Sequence, residues 1–194
     1  MPAGLQRLGG LWLFWVLLLP GVAGAAEFSA QMVLKDRGRT MPGKVYVKNG
    51  KMRQEFLDKE GQTVTIVRPD KKLIWVVFPQ ERLYVELPLK RRLPGQFLQM
   101  PPDALSKRCT GTETVNGYQT DRYDVLVPGG RAGWTRQTLW LSQKLGVPLK
   151  MVCVEVQFSL EYLNVKEGGV PDRLFEPPQG YKRTTRPAGI YIEE

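Results

Sequence analysis

Two cysteines, Cys109 and Cys153, and a scatter of carboxylates are the side chains best equipped for chemistry in this 194-residue chain, which contains no histidine. Without histidine the Ser-His-Asp and Cys-His nucleophile systems are absent, and so are imidazole-ligated metal sites. The cysteines stand too far apart for a C-x-x-C redox motif, and two thiols alone do not make a zinc site. In an oxidising compartment they can pair. The bond would close a loop of about 44 residues, a constraint worth ~4 kcal/mol in the chain-entropy model. The other reading is two buried thiols in neighbouring strands. Paired carboxylates could do general acid–base work. Asp121 and Asp124 are three residues apart, however, which puts them on opposite faces of a strand, and Glu155 and Glu161 fall in an alternating pattern that faces solvent. Glycines mark turns rather than a phosphate cradle. The side chains point away from catalysis, metal or cofactor and toward binding.

Binding groups are easier to find. In "LIWVVF", residues 73–78, alternation sends Leu73, Trp75 and Val77 one way and Ile74, Val76 and Phe78 the other. A strand apolar on both faces is covered on both faces. With Trp134 and Trp140, which alternation places on one face of a later strand, Trp75, Val77 and Phe78 are candidate lining residues for an apolar cavity. The competing reading is a filled core.

The elements that must position these side chains read as strand after strand. Residues 28–34 alternate apolar and polar. Asn49-Gly50 is a two-residue hairpin signal, because both positions of a type I′ turn need positive φ. Further turns fall at residues 59–61, 68–72 and 79–81, giving an antiparallel meander of about six strands over 28–87. Residues 88–107 break the pattern with Pro88, Pro94, Pro101 and Pro102 and the basic cluster Lys90, Arg91 and Arg92. Here we expect a loop with one or two short helices, one beginning near Pro102, serving as a lid or as a plain connection. Strands resume at 110 with a second hairpin signal at Asn116-Gly117. Residues 149–165 read as one long β region bent near 157–159, and 172–183 as a short helical turn ending at prolines. The fold class is mainly β with some helix (α+β): a strongly curved, unclosed antiparallel barrel with a few short helices covering its concave face. Such a sheet can enclose a ligand.

The amino terminus sets the expected address. Arg7 precedes the apolar run "LWLFWVLLL", a Pro-Gly break and "AGA". That is the pattern of a cleaved secretory signal over residues 1–25, too short for a transmembrane span. A single domain over 26–186 and a loose tail over 187–194 follow. The net charge of +9 drops by one when the leader is removed. A basic surface favours anionic partners, whether lipid headgroups, cell-wall polymers or acidic proteins, and Lys90, Arg91 and Arg92 are the candidate contact. Nucleic acid is not an expected partner of an exported chain.

Three stretches carry a resemblance: "GKVYVKNGKMRQEF", "VTIVRPDKKLIWVVFPQERLYVEL" and "FEPPQGYK". Together they resemble the LolA/LolB-like lipoprotein-carrier superfamily of bacterial envelopes. The chain is more closely similar to an uncharacterised exported branch linked to outer-membrane lipoprotein sorting, in which "GTETVNGY", "LGVPLKMV" and "PDRLFEPPQGY" also occur in order. The similarity spans residues 28–182. It implies a half-barrel wrapped around a few helices, an apolar cavity between sheet and lid, and a monomeric periplasmic protein. Such a protein binds acyl chains of lipoproteins or lipids; relatives of the fold instead sense or scaffold other envelope proteins. One departure stands out. The carriers' lid-bonding arginine, placed after the "V-x-V-K" strand, aligns with Asn49, and Arg53 lies four residues further on.

Overall fold

The computed structural model describes residues 26–58, 61–89, 100–129 and 133–185. The expected leader (1–25), the basic cluster at 90–92 and the tail at 187–194 lie outside the described residues.

Among the described residues twelve strands form one sheet: β1 (Glu27–Asp36), β2 (Arg39–Lys48), β3 (Lys51–Asp58), β4 (Gly61–Arg68), β5 (Leu73–Phe78), β6 (Leu83–Pro88), β7 (Ser106–Val115), β8 (Tyr118–Gly129), β9 (Gly133–Ser142), β10 (Pro148–Cys153), β11 (Phe158–Glu167) and β12 (Lys182–Arg183). Their order is β12-β6-β5-β4-β3-β2-β1-β11-β10-β9-β8-β7. Every pairing is antiparallel except the short parallel contact of β12 with β6. The six-strand meander is β1 to β6. Among the described residues the sheet does not close, and β12 and β7 are its two edges.

The hairpin signals hold for a local steric reason. Asn49 and Gly50 sit at φ 51° and 75°, and Asn116 and Gly117 at 51° and 85°, the left-handed pair that a type I′ turn demands. Three expectations need correction. No α-helix occurs among the described residues; there are only 3-10 turns at Pro69–Lys71 and Asp172–Phe175, so described helices do not cover the concave face. The helix expected after Pro102 is instead a turn, with Ala104 N–H donating to Pro101 O (3.4 Å). Leu105 N–H then donates to Leu126 O (2.9 Å) and leads straight into β7. Finally, the long β region at 149–165 is two strands. A turn through residues 154–157 separates β10 from β11, with Gln157 at φ 52°. No Gly, Pro or Asn marks that turn, and its Val-Glu-Val-Gln alternation reads as continuous strand.

The main core lies on the face of the sheet that carries Phe28, Met32, Met52 and Leu160, all essentially inaccessible. This inner face gathers side chains from β1 to β5 together with Leu149, Leu160, Tyr162 and Val115 into one cluster. Strands so far apart in the order can share a cluster only if the sheet curls. Asn116, in the β7–β8 turn, shows the curl directly. Its Nδ2 donates to Tyr162 O on β11 (2.9 Å), although β8, β9 and β10 separate those strands.

Candidate functional site

The pairing registers turn the inner face into transverse rows. One begins at Met41 on β2, passes through Leu34, Leu160, Met151 and Leu139, and reaches Tyr123 and finally Cys109 on the edge strand β7. A second links Phe56, Gly43, Met32 and Tyr162. Gly43 is required there, because a Cβ would collide with Glu55 O and press on the Met32 methyl. All five methionines after Met1 belong to this wall: Met32, Met52 and Met151 are buried in it, and Met41 and Met100 pack against it half-buried. Unbranched thioether side chains adapt to irregular apolar shapes more readily than branched ones.

Polar groups in the wall are few. Gln54 is fully buried and donates from Nε2 to the Met32 sulfur (3.6 Å). The Tyr162 phenol, also inaccessible, is pushed well above the ordinary tyrosine range by burial, and the neighbouring Gln54 side chain works the other way. The wall is thus apolar and uncharged, its central members are buried, and its one free exposed thiol is Cys109 at the β7 edge. Among the described residues no group of three His, Cys, Asp or Glu side chains stands close enough to hold a metal ion.

The five expected lining residues are not brought together. Phe78 is buried on the inner side. Trp75 and Val77 are buried on the outer face, against Val64, Ile66, Val170 and Phe175. Trp140 is 9 % exposed, with Lys150 Nζ 4.9 Å and the Arg122 guanidinium 5.7 Å from its ring centre. Trp134, on the same face of β9, is exposed. The two thiols are free: Cys109 is exposed on β7 and Cys153 buried on β10, with β8 and β9 between them. Strands lie ~4.8 Å apart, so three intervals exceed the Cα separation that a disulfide tolerates. Burial raises the Cys153 thiol above its ordinary range.

The outer cover of Trp75 is the chain after β11, residues 170–176, latched by a row of cations. Lys48 Nζ donates to Val170 O (3.0 Å) and lies 3.2 Å from Asp172. Lys51 bonds Asp172 at 2.9 Å. Arg53 donates to Leu174 O (3.2 Å) and to Glu55 (2.7 Å). Arg68, the most buried of them, makes a two-pronged bond to Asp70 (2.8 and 2.6 Å) and donates to Phe175 O (3.0 Å) and to Glu176. Lys71 adds bonds to Glu176 at 2.8 and 3.0 Å. The Arg68 bond holds the Asp70 carboxyl down at about 2. At Glu176 burial pushes upward, but the Lys71 and Arg68 bonds prevail and hold it below the usual range.

Sequence reasoning missed both the methionine wall and this latch. The methionines repeat no motif, although Met32, Met41, Met52 and Met151 sit at inward positions of their strands. Arg68, Asp70 and Glu176 read as turn charges because 106 residues separate Asp70 from Glu176 along the chain. Arg53, noted for its offset from the carriers' arginine, bonds the carboxy-terminal strap, and Asn49 is simply the hairpin turn.

An unclosed, mostly antiparallel sheet with an apolar inner face defines the architectural class of the described residues. The chain belongs to the DUF4412 family, a domain of unknown function, whose model matches residues 28–147. No curated protein sequence matches it. Among solved structures, an uncharacterised conserved protein from Thermus thermophilus superposes with a TM-score of 0.57 at 13 % identity, covering 84 % of this chain and 93 % of that one. The complex of MucA and MucB from Pseudomonas aeruginosa gives 0.50 at 16 % identity, over 78 % of this chain and 56 % of that chain, so this chain spans little more than half its length. A LolA superfamily protein from Nitrosomonas europaea aligns over 80 % of this chain and 91 % of its own at 13 % identity, with a TM-score of 0.36.

Proposed function

We propose that this is an exported, non-catalytic binding protein of the bacterial periplasm that holds an acyl chain, of a lipoprotein or a lipid, against the inner face of its half-barrel. The observation that carries this reading is the wall itself. A row that runs from Met41 through Leu34, Leu160, Met151 and Leu139 to Tyr123 and Cys109 crosses seven strands of a sheet that does not close among the described residues. An adaptable apolar surface of that kind suits a flexible chain better than a rigid ligand.

The test is uptake of a fluorescent fatty-acyl probe, with native mass spectrometry of protein recovered from its own export compartment. Submicromolar uptake is expected. Met41→Lys and Tyr123→Lys, both at half-buried wall positions, should weaken it at least tenfold while the circular dichroism spectrum is kept. Ligand-free protein that takes up no probe sinks the proposal.

A second reading is a sensor or scaffold for other envelope proteins. It draws on β7, whose residues 106–114 are all exposed and whose outer edge pairs with no strand among the described residues. An edge of that kind is a template for an added strand. Partners captured equally by wild type and by the two lysine variants would favour this reading.

A further inference from the structure

The exposed large apolar side chains are segregated. Among the described residues they are Leu57 (64 % exposed), Leu105 (59 %), Trp134 (48 %), Val154 (77 %) and Val156 (45 %). The registers place all five at one end of the strands. Leu57 sits beside the β3–β4 turn, opposite Gln62. Trp134 sits beside the β8–β9 turn, opposite Pro128. Val154 and Val156 form the turn between β10 and β11, where Gln157 O receives Arg37 N–H from the β1–β2 turn (3.0 Å). Leu105 enters β7 beside Leu126, whose partner on β9 is Arg136. The opposite end, with the Asn49-Gly50 and Asn116-Gly117 turns, has no exposed large apolar side chain among the described residues.

Scattered exposed apolar residues are ordinary on protein surfaces; their collection along one rim is not. The same rim carries Lys35, Arg37, Arg39, Arg82, Lys107 and Arg136, all exposed, against the carboxylates Asp36, Glu81, Asp103 and Glu155. Asp36 is itself paired with Arg37 at 4.0 Å. The apolar groups stand at four separate places along the edge from β3 to β7, with only Val154 and Val156 sharing a turn. Seven strand spacings of ~4.8 Å spread them over roughly 34 Å of curved edge. Side-chain-mediated protein interfaces are typically built round a closely packed apolar centre. The boundary between lipid headgroups and acyl chains accepts isolated insertions, favours tryptophan, and rewards flanking arginine and lysine when the lipid is anionic.

We propose that this rim is a docking edge for an anionic lipid surface. Leu57, Leu105, Trp134, Val154 and Val156 enter the headgroup–acyl boundary, and the rim cations hold the phosphates. The assignment stands independently of whether the inner wall takes an acyl chain.

The test uses protein processed and recovered from the exporting cell. It measures flotation with vesicles of pure phosphatidylcholine and of a 7:3 mixture with phosphatidylglycerol, at low and high salt. Binding to the anionic vesicles should exceed binding to the neutral ones at least tenfold and fall steeply with salt. Tryptophan emission should shift to the blue on binding, and the shift should be lost in Trp134→Phe. The double variant Val154→Asp/Val156→Asp, placed in an exposed turn that the core does not need, should lose at least ten-fold in vesicle affinity with an unchanged melting temperature. Arg136→Glu should abolish the preference for anionic lipid. Wild-type protein that ignores anionic vesicles, or rim variants that bind like wild type, overturn the proposal. Acyl-probe uptake measured on the same variants separates this outcome from failure of the binding-protein reading.

Discussion

Arg68 shows how much one side chain can organise. Its guanidinium is nearly buried and joins a turn carboxylate, a carbonyl of the strap and Glu176. Removing it takes the donor from the Phe175 carbonyl, while the half-exposed Asp70 and Glu176 carboxylates regain water, and hydrogen bonds to charged groups contribute ~1.5–3 kcal/mol each. Arg68→Met should therefore lower stability by about 3 kcal/mol in urea unfolding. Because Asp70 and Glu176 have folded pKa values below their ordinary ones, the latch's carboxylate contribution is fully present above the unfolded carboxylate range. It is lost as pH falls through that range toward about 2. An acid titration of wild type should therefore unfold with a component near the bottom of that window, and Arg68→Met should lack it. The thiols give a second residue-scale prediction. One thiol, Cys109, should react with a disulfide reagent in the native protein. Cys153, buried and with its thiolate disfavoured, should react only on unfolding, and a mass measured after alkylation under denaturing conditions should count two free thiols.

At the scale of elements, the local signals that worked were steric. Asn49-Gly50 and Asn116-Gly117 fix positive φ at two successive residues, and no other dipeptide in the chain says so plainly. The turn at 154–157 was illegible because its residues carry neither Gly nor Pro and keep strand alternation across the break. The helix looked for after Pro102 lost to β7, whose backbone groups are satisfied by β8 instead. The strap is the element whose role is most testable. Val170, Phe175 and the partly buried Leu174 and Tyr181 cover Trp75, Ile66, Val64 and Val77. Burying a side chain of the size of phenylalanine stabilises by ~1.5–3 kcal/mol. A chain ending after Gly169 should therefore show red-shifted Trp75 emission and a melting temperature lower by more than 10 °C.

At the scale of the whole molecule, order should fall from the middle of the sheet to one edge. β1 and β11 are central, paired on both sides, and carry Phe28, Met32, Leu160 and Tyr162 in the core. β7 has one partner and little buried surface. Native-state hydrogen exchange should be slowest at Met32 and Tyr162 and fastest along 106–112, since local opening tracks buried contact. Equal protection in β7 would mean that something covers this edge.

The amino-acid sequence by itself determined a mainly β chain, the six-strand meander, its Asn-Gly hairpins, and a strand at 73–78 with both faces covered, because alternation and turn sterics are local properties. Which surfaces do the covering was decided only in three dimensions. The outer side of Trp75 is closed by residues about a hundred positions further on, and Phe78 lies on the other side of the sheet. The methionine wall and the basic apolar rim likewise come from register and curvature. Those depend on pairings between strands distant in the chain, and no local pattern encodes them.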